Sequence, residues 1–178
     1  MDQISTAIEE NWLDFLNLLK QVMQVPSVKS EPMPQAPYGT ETRRVLSLVM
    51  EKSAAFGFGT KVIDDAIGYA QWGPEGSDYI GILGHLDVVP AGSDWDFPPF
   101  DLSEKDGRLY GRGILDNKGP IISCLYGMKL LKELGHQPKK ICGSFSVRMK
   151  KVVCRMFLII WPQNNHLCSD LRQIVSIR

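Results

Sequence analysis

The segment Tyr79-Ile80-Gly81-Ile82-Leu83-Gly84 is apolar without alternation and runs straight into His85. A strand with one wet face alternates apolar and polar residues, so an unbroken apolar run of this length suits a strand covered on both faces of a parallel or mixed sheet. Covers of that kind are helices, and the flanking sequence supplies them. Ile8, Trp12, Phe15, Leu16, Leu19, Val22 and Met23 fall at helical spacing and predict an amphipathic helix ending before Pro26. After a Pro-rich loop from Glu31 to Gly39, Glu41 to Phe56 carries Val45, Leu48, Val49 and Phe56 on one face and stops at Gly57 and Gly59, which predicts a second helix. Lys61-Val62-Ile63-Asp64 and Tyr69-Ala70-Gln71-Trp72 read as strands, the latter closed by Gly73-Pro74-Glu75-Gly76. Pro120, suited to a first helical turn, opens a third helix with Ile121, Ile122, Leu125, Met128, Leu131 and Leu134 and a stop at Gly135. The expected fold class is therefore α/β.

At 178 residues the chain is sized for one domain, and 44% hydrophobic with 22% charged residues reads as globular. Twenty basic residues balance 20 acidic ones, which argues against a nucleic acid partner bound through net positive charge. The strongest apolar run, Met156 to Trp161, is far short of the roughly 20 residues of a membrane-spanning helix, so no membrane partner is expected. Met1-Asp2-Gln3-Ile4-Ser5 does not open a secretory signal. Cys124, Cys142, Cys154 and Cys168 show no C-x-x-C pair and no disulfide framework, as expected in a reducing compartment. The expected location is cytoplasmic.

The balanced charge conceals a break. Residues 1–140 hold 14 Lys/Arg against 19 Asp/Glu, a balance of −5, whereas residues 141–178 hold six Lys/Arg and one Asp, a balance of +5. Three of the four cysteines lie in that last stretch, which contains no Glu and a single Gly. The composition divides the chain near Lys140.

Two stretches before the break carry chemistry. In Gly84-His85-Leu86-Asp87-Val88-Val89-Pro90 a histidine and a carboxylate stand two residues apart just beyond a buried strand. Ligands collect beyond the carboxyl ends of strands in α/β sheets, and residues i and i+2 of an extended chain point the same way, so Asp87 can orient the His85 ring. A metal-bound histidine usually has such a partner, although a capped strand end with a hydrogen-bonded histidine gives the same pattern. The second stretch, Leu109 to Pro120, sets Asp116 in a glycine-rich loop leading into a helix. Asp116 is a candidate oxygen ligand for a metal, or else a helix cap.

Together, Gly84 to Pro90 and Tyr110-Gly111-Arg112-Gly113-Ile114-Leu115-Asp116-Asn117-Lys118-Gly119 closely resemble the signatures of the zinc-dependent aminoacylase, acetylornithine deacetylase and dipeptidase family. Trp95-Asp96-Phe97-Pro98-Pro99-Phe100, Lys105 to Tyr110 and Pro26-Ser27-Val28 are similar to it as well, so the resemblance covers residues 8–140. Within the family the chain looks most like the bacterial Xaa-His dipeptidases, through Gly81 to Gly92 and Lys118-Gly119-Pro120. The resemblance implies an incomplete three-layer α/β/α zinc-peptidase catalytic domain with a mixed, mostly parallel sheet, without the dimerisation or lid domain. It implies two zinc ions per complete active site and a dipeptide substrate, with a deacylase of the same family as the alternative. His85 would bind one zinc, Asp116 would bridge the two, and Asp87 would serve the catalytic machinery by holding His85. Asn117 departs from the acidic residue usual in the dipeptidases.

The family's general base and further ligands, in a D-E-E-S-G stretch and a later S-P-D stretch, are missing after Lys140. Their absence and the composition break coincide, and the genetic code links them. Codons formed from the last base of each residue's codon and the first two of the next, from Ser144 through Cys154, can spell Phe-Phe-Gly-Thr-Asp-Glu-Glu-Ser-Gly-Leu, and the Met149/Lys150 codon is Glu under every synonymous choice. Leu171 through Ser176 can spell Thr-Pro-Asp-Cys-Glu. Residues 141–178 are thus expected to be an out-of-frame tail, and the chain to be truncated and inactive. The alternative is a native basic tail with Arg148, Lys150, Lys151 and Arg155 flanking an apolar run.

Overall fold

The computed structural model describes residues 3–74 and 79–147. The stretch from Arg148 onward, with Met156 to Trp161, Cys154, His166 and Cys168, lies outside the described residues, as does the Glu75-Gly76 part of the expected turn.

The expected first helix is two. Helix α1 spans Gln3–Glu10 and α2 spans Trp12–Met23. They divide at Asn11, whose side-chain amide donates to the Ala7 carbonyl at 2.9 Å, the local competition with backbone bonding that makes asparagine a poor helix-interior residue. Leu18, Leu19, Val22 and Met23 are buried on α2, each burial stabilising by about 1.5–3 kcal/mol. Ile8 on α1 and Trp12 at the start of α2, expected on the buried face, are instead 47% and 44% exposed, at the margin of the core. Helix α3, Thr40–Ala55, buries Val45, Leu46, Val49 and Met50 and ends at Gly57, whose φ of 73° suits glycine.

Strands β1 (Gly59–Ile63) and β2 (Ile67–Trp72) form a hairpin through Asp64 and Asp65, both left-handed with φ of 50° and 51°. Gly68 on β2 lets α3 approach, since a Cβ there would stand 2.7 Å from Met50 Sδ and 2.8 Å from Leu46 Cδ1. Strand β3, Tyr79–His85, leads through a short hairpin, β4 (Ser103–Lys105) and β5 (Arg108–Tyr110), to helix α4, Lys118–Glu133. Strand β6, Ile141–Val147, begins directly after Lys140 and inserts between β2 and β3, giving the order β1-β2-β6-β3.

The class is α/β and the sheet is mixed. Among the described strands β3 and β6 pair in parallel across the α4 crossover, whereas β1 with β2 and β2 with β6 are antiparallel. The tight Asp64-Asp65 turn forces the first antiparallel pair, and a parallel neighbour needs a crossover as long as the one α4 supplies. Helices α2, α3 and α4 share one core with Ala70, Val62, Trp72 and Ile82 of the sheet. The opposite face carries a smaller cluster of Ala66 and Ile67 with Tyr38, Ile63, Tyr69 and Leu83. Among the described residues no helix is long and apolar enough to cross a membrane.

Candidate metal site

His85 is the last residue of β3, and Asp116 lies two residues before α4, so the two meet where the parallel strand pair ends. That meeting point is where α/β folds gather ligands. His85 Nε2 stands 3.0 Å from Asp116 Oδ1, and Nδ1 stands 3.0 Å from the Asp87 carbonyl and 3.4 Å from Asp87 Oδ1. The three residues singled out in the sequence are therefore brought together, with the imidazole between two aspartates. His85 and Asp87 are largely enclosed, with side chains 12% and 19% exposed, while Asp116 is open at 66%. The Asp87 carboxylate beside Nδ1 holds the His85 pKa above its ordinary value, against the opposing effect of burial. Asp87 Oδ1 is shut off from solvent with no well-formed hydrogen bond of its own.

Neighbouring segments fix this geometry. The His85 backbone N–H donates to Asn117 Oδ1 at 3.3 Å, and a Cβ at Gly84 would collide with that same oxygen, so glycine before the histidine is a packing requirement. The peptide between Asp116 and Asn117 is cis. The Ser27 hydroxyl donates to the Leu86 carbonyl at 2.6 Å, and Val88 N–H donates to the Ser27 carbonyl at 3.0 Å. Lys118 is fully buried and donates to the carbonyls of Val22 and Val25 at 3.0 and 2.6 Å, and burial lowers its pKa to about 8.

Sequence reasoning quoted Ser27, Asn117 and Lys118 within motifs and gave none of them this bonding. One signal was present for Lys118: a cation at the first position of a helix opposes the macrodipole, which marks it for another task. Trp95 and Phe97 pack beneath the loop beyond the site: Trp95 Nε1 donates to the Ala91 carbonyl at 2.8 Å under the Arg112 guanidinium, and Phe97 stacks on Tyr110 at 4.8 Å. His136 is exposed and Cys124 half-buried on α4.

An imidazole nitrogen and a carboxylate oxygen converging at 3.0 Å are donors a zinc ion accepts, and an orienting carboxylate behind the imidazole is the usual support. The donors fit a divalent metal as part of a site: among the described residues no group of three or more His, Cys, Asp or Glu is gathered to hold one.

A helix-covered mixed sheet with a histidine and two carboxylates at the end of its parallel pair is an α/β setting that can carry part of a metal site. Residues 81–146 match the model of Peptidase family M20/M25/M40, and the chain belongs to that family. It is 36% identical over 123 residues to YtjP of Bacillus subtilis, covering 68% of this chain and 26% of that protein. It is 47% identical over 85 residues to the Beta-Ala-Xaa dipeptidase of Lactobacillus delbrueckii subsp. lactis, covering 47% of this chain and 18% of that one. Its fold is that of human carnosine dipeptidase 1, with a TM-score of 0.74 at 21% identity over 86% of this chain and 36% of the other. The chain thus spans about a quarter of the length of the curated relatives it matches.

Proposed function

We propose that this chain is the opening portion of a two-zinc dipeptidase, carrying part of the metal site and lacking the rest. The observation that carries the reading is the 3.0 Å approach of His85 Nε2 to Asp116 Oδ1 with Asp87 behind the ring. His85 and Asp116 would hold the metal, and Asp87 would fix the imidazole plane. Zinc bound there would supply a water of lowered pKa. Asp116, on the open side of the site, keeps its carboxylate accessible, while His85 and Asp87 stay shielded from competing water. The substrate is a dipeptide, in keeping with the names of the relatives; a deacylase acting through the same metal core is the second reading, and the residues that separate the two lie outside this chain.

The family portion runs to about Lys140 and an out-of-frame tail follows, on the grounds of the charge break and the Asp-Glu-Glu-Ser-Gly spelling contained in Ser144 through Cys154. One histidine and one carboxylate are too few to hold zinc tightly, so the 178-residue chain is expected to hydrolyse no dipeptide. Zinc-dependent release of amino acids from a dipeptide panel by the purified chain, lost in His85→Ala, would overturn the inactive assignment.

A further inference from the structure

Lys118 takes a cation out of water at the amino end of a helix, where the macrodipole opposes it, and the compensation lies at the far end of its side chain. There Nζ meets the carbonyls of Val22 and Val25 at and just past the carboxyl end of α2, which also accept from the Val25 and Ser27 amides. The aliphatic stem passes beneath Gly113, where a Cβ would stand 2.9 Å from Val88 Cγ1 and 3.1 Å from Lys118 Cδ. Val25 leads into Ser27, which is bonded in turn to Leu86 and Val88 on either side of Asp87. The Lys118 side chain therefore ties the turn bearing Asp116 to the end of α2, and Ser27 ties the end of α2 to the segment bearing His85 and Asp87.

We propose that Lys118 is a positioning residue for the metal-ligand pair: by pinning the Asp116-Asn117 turn to the carboxyl end of α2, it sets the approach of Asp116 to His85. The inference rests on the reading of those two residues as ligands, but the tether itself can be tested without metal. Asn117 accepts from the His85 amide, so slippage of the turn frees that amide.

The test is residue-resolved hydrogen exchange on the 178-residue chain, the Lys118→Met variant, which fills the channel without a donor, and Lys118→Arg, which retains cation and donors. The His85 amide is expected to exchange at least about tenfold faster in Lys118→Met, while Val49 in α3 changes less than about threefold and Lys118→Arg restores protection. Unchanged protection at His85, or loss shared equally by Val49 up to failure to fold, overturns the proposal by making Lys118 inert or merely structural. Zinc titration against a chromophoric chelator then separates the two readings. A roughly tenfold weaker zinc affinity in Lys118→Met supports positioning of ligands. Failure of the unmodified chain to bind zinc removes the metal assignment and leaves the tether to be decided by the exchange data.

Discussion

The hydroxyl of Ser27 donates to the carbonyl of Leu86 at 2.6 Å, fastening the chain that leaves α2 to the residue between His85 and Asp87. Ser27 and Leu86 are both fully buried, so neither group has water as an alternative partner. Ser27→Ala leaves the Leu86 carbonyl unsatisfied and is expected to destabilise the chain by about 1–3 kcal/mol, read as a lowered denaturant midpoint. A midpoint unchanged from the parent would contradict this.

Asp101 fastens the loop beyond the site to α2. Its Oδ1 accepts from Leu102 N–H at 2.9 Å and Gln24 Nε2 at 3.1 Å, with Lys20 3.7 Å away. Chiefly through the Leu102 N–H, its pKa is held below 3.8. A carboxylate with a depressed folded pKa contributes stability that is present above the unfolded value and lost as pH falls through the folded one. The stability gap between the chain and Asp101→Asn should therefore be largest above pH 3.8 and close below it, measured by denaturation across the acid range.

The arrangement around His85 predicts an ordering of zinc affinities. His85→Ala removes a ligand and should abolish the chain's weak zinc binding, whereas Asp87→Asn keeps the ligands, loses the orienting charge and should weaken binding about 10–100-fold. Chelator competition measures both. Equal affinity in Asp87→Asn and the parent would remove Asp87 from its role.

Gly84→Ala sets a methyl group against Asn117 Oδ1 and Ile121, the latter 3.0 Å away at Cδ1. Overpacking of this kind costs about 1–3 kcal/mol, and here the strain falls on the turn carrying Asp116. Thermal denaturation should show the loss, and Asn117→Ala in the same chain should recover part of it.

The motifs were legible because their chemistry is local. His85, Asp87 and Asp116 could be named from residue type and position, and β3 from its unbroken apolar run. What escaped was set by contacts distant in sequence. Ile8 and Trp12 have helical spacing but lie at the core's margin, a fact fixed by how the first two helices pack and not by their spacing. The direction of the strand pairs depends on β6, which follows the compositional break and shows its place only when paired to β2 and β3. Lys118 looked like one more motif residue, and its partners lie 93 and 96 positions away.

The central claim is that a longer two-zinc dipeptidase stands behind this chain, with its remaining ligands displaced in frame. The most direct measurement is the nucleotide sequence of the gene from the codons of Leu134 to several hundred bases beyond Arg178. The account predicts that a frame entered near Ser144 reads through Asp-Glu-Glu-Ser-Gly and continues open well past the present end. A nucleotide sequence in which no frame encodes that motif, or in which the displaced frame closes at once, would contradict it.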